Sequence, residues 1–158
     1  KEFPELPRFG IRMFLNKKMN EVTYFGMGPQ ESYRDKHQAS CHGLFRSKVA
    51  QMHEDYIRPQ ENGSHYDCDY VEITSGQYGI AAVSNDSFSF NVSVYTQEEL
   101  ERASHNYELE ESDSTVFCMD YAMNGIGSNS CGPDVLDKYR FAEEAFRFQF
   151  ELIPFVKG

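Results

Sequence analysis

The sequence predicts an all-β fold, an antiparallel β-sandwich. Three observations point there. About eight or nine short runs alternate apolar and polar residues with a period of two, turn signals punctuate them, and one segment alone carries a helix-start signature. The 158 residues suit one domain spanning the chain, and 40% hydrophobic content is enough for a core.

The elements follow in order. Pro4 and Pro7 mark an extended lead-in. Gly10–Leu15 sets Ile11, Met13 and Leu15 against Arg12 and Phe14, and Glu21–Phe25 resumes the strand pattern after Asn16-Lys17-Lys18. Gly26-Met27-Gly28-Pro29 breaks it. Residues 30–58 lack a clean period and read as a long surface excursion with one helical turn and a brief extended run at Tyr56–Arg58. Asn62-Gly63 is a turn signal. His65–Ile73, Gln77–Val83 and Ser87–Tyr95 read as three strands, with turns at Ser75-Gly76 and Asn85-Asp86. In the last strand Phe88, Phe90, Val92 and Val94 oppose Ser87, Ser89, Asn91 and Ser93, a half-buried pattern. Thr96-Gln97-Glu98-Glu99 has the spacing of a capping box and starts a short helix ending near Ala103. Extended runs follow at Tyr107–Glu111, Thr115–Met123, Asp137–Phe141 and Ala145–Ile153, the last with Phe146, Phe148, Phe150 and Leu152 on one side.

Between two of these runs lies Gly125-Ile126-Gly127-Ser128-Asn129-Ser130-Cys131-Gly132-Pro133. Three glycines, a proline and small polar residues make a shaped loop. Composition alone leaves it either a long hairpin connection or a binding loop on a rigid β scaffold.

Charge excludes some functions. A net charge of -10 disfavours nucleic acid, which is bound mainly through Lys and Arg, and also an anionic membrane surface. No apolar run is long enough to span a membrane, and no signal-like segment is present. Cys41, Cys68, Cys118 and Cys131 form no C-x-x-C pair, so free thiols in a reducing, cytoplasmic compartment are expected over a zinc site or two disulfides. Asn62, Asn85 and Asn91 begin N-x-S sequons of a kind that arises by chance. The five His have no metal-ligand spacing, and no calcium loop, P-loop or G-x-S-x-G elbow occurs, so no metal or catalytic residue is assigned. Glu98-Glu99, Glu110-Glu111 and Glu143-Glu144 are acidic pairs of the residue type that hydrolyses glycosides, but sequence neighbours are expected on a solvated face. Cys131 has no neighbouring base or cation to activate it.

Several motifs together resemble a known family. They are Leu6-Pro7-Arg8-Phe9-Gly10, Tyr24–Tyr33 with Gly28-Pro29-Gln30-Glu31-Ser32, Arg58-Pro59-Gln60-Glu61-Asn62-Gly63, Phe88–Ser93, Thr96–Leu100 with His105, and Gly125–Pro133. In this order and spacing the chain resembles the C-terminal β-domain, or small-chain region, of the large bacterial β-galactosidases of glycoside hydrolase family 2. The resemblance runs from about Leu6 to the C-terminus. It implies the later part of a galactose-mutarotase-like supersandwich, truncated on its N-terminal side. It also implies a parent enzyme that hydrolyses terminal β-galactosides with retention, through glutamates on a TIM barrel outside this chain. Mg or Na ions of the parent, a homo-oligomeric state, and the remaining domains or a separate large subunit as partners follow from the same likeness. Gly127, Ser128, Asn129, Ser130 and Cys131 then match the substrate-rim loop, where some family members carry a Trp and this chain has Cys131. The alternative is a free-standing carbohydrate-binding or mutarotase-like module, with His105 and a neighbouring carboxylate as acid and base.

Overall fold

A computed structural model describes residues 5–127 and 133–157. They form an antiparallel sheet of seven strands: β1 (Arg8–Asn16), β2 (Glu21–Gly28), β3 (Cys41–Lys48), β4 (Ser64–Thr74), β5 (Tyr78–Ser93), β6 (Ser114–Met123) and β7 (Glu151–Val156). The all-β expectation holds. The strand order is β1-β6-β5-β4-β2-β3, with β7 added beside β5.

Strand β5 organises the sheet. Its first half pairs β7 from Tyr78 to Val83, its second half pairs β6 from Ser89 to Ser93, and β4 runs along its other side. The long β4–β5 hairpin therefore joins two wings. The expected turn at Asn85-Asp86 does not reverse the chain, and one strand replaces two. The partner strand takes up the irregularity instead: β4 shifts register on either side of Cys68, and Asp67 has φ 54°. Such bulges bend a strand and raise its twist, which lets one hairpin serve both wings.

The core lies where these strands cross. Phe88, Phe90, Phe117, Met119, Tyr24 and Ile73 are buried in one cluster. Burial of each such side chain stabilises by roughly 1.5–3 kcal/mol. Ser89, Asn91 and Ser93 are buried as well, so the second half of β5 is covered on both faces and not half-buried. The buried Asn62 and Asn91 are enclosed by protein; Asn85 is exposed.

The irregular excursion contains β3, which pairs β2 in register from Glu21↔Lys48 to Gly28↔Cys41. Tyr56–Arg58 is not a strand, and 3₁₀ turns stand at Asn106–Glu108 and Asp137–Tyr139 where extended runs were expected. Helix α1 (Gln97–Arg102) starts as read, with Thr96 Oγ1 accepting the Glu99 N–H at 3.1 Å. The reciprocal half of the box is absent, because the Glu99 carboxylate binds Arg102 and the Glu110 N–H. The Phe146, Phe148 and Phe150 alternation is real, yet ladder pairing begins only at Glu151. These rings are held by one another and by Tyr121 instead. Among the described residues β1, β3 and β7 each pair on one side only. Phe14, Leu44 and Val156, one on each of these edge strands, are exposed. Among the described residues no helix is long and apolar enough to cross a membrane.

Candidate functional site

The loop singled out from sequence leaves β6 after Met123. Its outgoing leg is tied at each residue. Asn124 N–H donates to Pro7 O at 2.9 Å and Gly125 N–H to Tyr139 O at 3.0 Å. Asn124 Oδ1 accepts the Phe141 N–H. Ile126 and Gly127 N–H donate to the two oxygens of Asp35, at 3.1 and 2.7 Å. Gly127 has φ +60°, which glycine adopts without strain. Successive N–H groups turned toward one point form an anion-binding nest, and here a carboxylate of the same chain fills it. On the returning leg Arg140 binds Glu5 at 3.0 and 3.1 Å and Val135 O at 3.2 Å. Its own carbonyl accepts Arg34 at 3.4 Å.

Beside these legs the sequence motifs converge. Arg8 makes a two-pronged contact with Asp120, Nε–Oδ1 at 3.2 Å being one prong, and reaches Glu61 at 3.1 Å. Glu31 accepts from Lys36 at 2.5 Å, from Tyr56 and from the Gly63 N–H at 2.8 Å. Asn62 O accepts from Asn91, and Asn62 Oδ1 from Glu54 N at 3.0 Å. The Pro-Arg, Gly-Pro-Gln-Glu, Pro-Gln-Glu-Asn-Gly and Phe-Asn-Val motifs are thus one hydrogen-bonded cluster. Burial pushes the Glu31 carboxyl up, but Lys36, Tyr56 and the Gly63 N–H outweigh it and hold Glu31 below the usual range. Burial pushes Glu61 and Asp120 up, with Arg8 pulling against it in both. Glu31 and Asp120 use both carboxylate oxygens in holding loops together, whereas Glu61 binds Arg8 through Oε2 and leaves Oε1 buried without a partner.

A cleft of about 560 Å³ opens at the foot of the loop, lined by Arg34, Tyr66, Asp86, Tyr121, Glu143 and Arg147 among others. Tyr121 lies flat on Phe146, with centroids 4.7 Å apart and planes 12° apart, and donates to Glu143 at 2.7 Å. Donors, acceptors and an aromatic edge together suit a hydroxyl-rich ligand.

Of the residues predicted for the rim, Gly127 sits at the foot of the loop as described. Ser128, Asn129, Ser130 and Cys131 lie outside the described residues. Sequence reasoning gives no sign of Asp35 and Arg34: both fall in the aperiodic stretch, and their partners Ile126, Gly127 and Arg140 lie 91, 92 and 106 residues away in sequence. His105 Nδ1 does meet a carboxylate, Glu108 at 3.1 Å, but on the exposed surface. Glu98, Glu143 and Glu144 are exposed. Cys41, Cys68 and Cys118 are free thiols, and burial pushes the Cys118 thiol up to about 11, which makes it unreactive. Among the described residues no three His, Cys, Asp or Glu converge as a metal site.

A seven-stranded antiparallel sheet with a polar cluster at the root of a tethered loop defines an all-β architecture. The chain belongs to the β-galactosidase small-chain family, whose model, described as "Beta galactosidase small chain", matches residues 1–152. It is 51% identical over 152 residues to a β-galactosidase of Actinobacillus pleuropneumoniae, which covers 96% of this chain and 15% of the relative. It is 42% identical to one of Staphylococcus xylosus (94% and 15%) and 33% identical to one of Kluyveromyces lactis (94% and 14%). The chain spans about 15% of the length of the first of these curated relatives.

Proposed function

We propose that this chain is a non-catalytic domain of a retaining β-galactosidase acting on terminal β-galactosides of the lactose type. Its part is to shape the rim of the active site through Gly125–Pro133 and to support assembly. The observation that carries the reading is the tethering of the loop's foot, Asn124–Gly127, by backbone and side chains from three separate segments, at Pro7, Asp35 and Tyr139–Phe141, in a chain of this family. A mere connection between strands needs no such anchoring.

The partners are the remaining domains or a large subunit of the same enzyme. The one-sided edges of β1, β3 and β7, with Phe14, Leu44 and Val156 exposed on them, favour such a neighbour. A cytoplasmic homo-oligomer is the assembly in keeping with the free thiols and these edges. Ions used by the enzyme are assigned to its other domains.

The test is hydrolysis of a nitrophenyl β-galactoside by three preparations: this chain alone, the full-length enzyme, and the full-length enzyme with residues 128–132 replaced by two glycines. The expected order is no turnover, full turnover, and a loss of at least tenfold in kcat/KM. Turnover by the pure chain, or an unchanged kcat/KM after loop replacement, overturns the reading.

A further inference from the structure

The excursion between β2 and β3 supplies one of the tethers of the rim loop, and its central residues hold both legs. Asp35 Oδ1 and Oδ2 accept the Ile126 and Gly127 N–H groups at 3.1 and 2.7 Å. Arg34, its sequence neighbour, donates to Arg140 O on the returning leg at 3.4 Å. The fit is close: a Cβ on Gly125 would stand 2.6 Å from Asp35 Oδ2, so the leg reaches the carboxylate only because residue 125 is glycine. Asp35 is itself carried by a firm turn, with reciprocal backbone bonds between Tyr33 and Lys36 (2.8 and 3.0 Å). That turn is fixed in turn by the buried Tyr33 and by the Lys36–Glu31 pair.

Resting on the rim reading above, we propose that Asp35 is the positioning residue of the rim loop. It touches no substrate. Its carboxylate occupies the nest of the outgoing leg and so fixes Ile126 and Gly127, while Arg34 holds the returning leg at Arg140. A charged acceptor shared by two amides is stronger than the neutral alternative that water offers, so the leg keeps one conformation. Gly125 and Gly127 are the counterparts: the first gives Asp35 room, the second turns its N–H toward it.

The experiment uses the full-length enzyme with Asp35→Ala, Asp35→Asn and Gly125→Ala. Hydrogen–deuterium exchange is followed by mass spectrometry on peptides covering 124–127 and, for comparison, β5 and β6. Kinetics are measured on lactose and on a nitrophenyl galactoside. Asp35→Ala is expected to speed exchange at the loop foot about tenfold, the factor for loss of charge-assisted hydrogen bonds. It should lower kcat/KM by at least about fivefold while β5 and β6 exchange as before. Asp35→Asn, with one acceptor oxygen left, should fall between, and Gly125→Ala should reproduce the alanine variant by crowding the carboxylate. Unchanged exchange at the foot overturns the clamp. Faster exchange at the foot with unchanged kinetics overturns the positioning role. Faster exchange throughout β5 and β6 marks Asp35 as a stability residue and overturns the assignment. Loss of activity on loop replacement, with none in the Asp35 variants, leaves the rim reading standing and removes Asp35 from it.

Discussion

Replacing Arg8 by Met should reveal how much of the loop's root depends on one ion pair. Asp120 has a side chain only 4% exposed, and Arg8 satisfies both of its oxygens. Arg8→Met keeps most of the aliphatic stem and removes the charge. A buried carboxylate then stays behind without a partner, which costs about 3–5 kcal/mol, roughly a third to a half of a domain stability of about 10 kcal/mol. The pair Lys17–Glu111 is the control: both side chains are about half exposed, and Lys17→Met should cost less than about 1 kcal/mol. The deficit also carries a pH signature. Burial already raises the Asp120 carboxyl and Arg8 opposes that rise, so without Arg8 it moves higher. A carboxyl raised in the folded state binds its proton more tightly there than in the unfolded chain. The deficit is therefore fully present at pH 7 and shrinks as pH falls toward the ordinary carboxylate value. With no Trp in the sequence, urea unfolding is followed by far-UV circular dichroism at pH 7 and pH 5. A loss below 1 kcal/mol at pH 7, or a deficit that grows on acidification, would refute the reasoning.

Two further outcomes are expected. His65 is 1% exposed between Tyr24 and Phe90, and burial lowers its pKa to about 4. The unfolded chain takes up that proton first, so stability should fall by up to about 1 kcal/mol per pH unit between pH 6.5 and pH 4, and His65→Phe should flatten urea midpoints over that range; parallel slopes would count against it. Gly26→Ala would place a methyl 2.9 Å from the Cys68 backbone, and should lose roughly 1–3 kcal/mol and several degrees of Tm, whereas Gly43→Ala, whose nearest neighbour is 3.4 Å away, should stay within about 0.5 kcal/mol; equal melting temperatures would show that β2 and β4 can move apart.

Period-two alternation made β1 and β2 legible, because Ile11, Met13 and Leu15 on one and Val22 and Tyr24 on the other turn toward the core; β6 is instead buried on both faces from Thr115 to Asp120. β3 was illegible for the converse reason. It is an edge strand on which Cys41, His42, Leu44 and Arg46 are exposed, so nothing in Cys41–Lys48 had to alternate strongly. The Asn85-Asp86 signal misled because turn residues also suit a stretch of strand where pairing is interrupted: β7 pairs up to Val83, β6 from Ser89, and β4 pairs Val83 and Phe88 but nothing between them. The phenylalanines at 146–150 showed their side but not their pairing, since ring stacking on Tyr121 does in that stretch what a ladder would do. For the site, the glycine-rich loop announced itself by composition, but its anchors did not. An acceptor for a backbone N–H leaves no periodic trace, and Asp35 looked like any other charge in a polar stretch.

The polar cluster and the loop are coupled through register. Pro7, which accepts the Asn124 N–H, directly precedes Arg8, and Asp120 stands four positions before Asn124. The Arg8–Asp120 contact therefore spans the β1–β6 pair just ahead of the loop's departure, beside the register shift between Phe9 and Gly10. A strand pair that can slip by one residue exchanges its faces. Here a slip would separate an arginine from a buried carboxylate, which makes it costly, and it would also carry Asn124 away from Pro7. The same contact thus fixes where the loop leaves the sheet, while Asp35 fixes its direction from there. This accounts for the placing of acidic motifs whose carboxylates are not poised for catalysis. Asp120 and Glu61, together with Arg8, lock the strands from which the loop springs. Glu31, through Lys36, locks the turn that holds Asp35. Removing charge from either group should displace the loop without touching it.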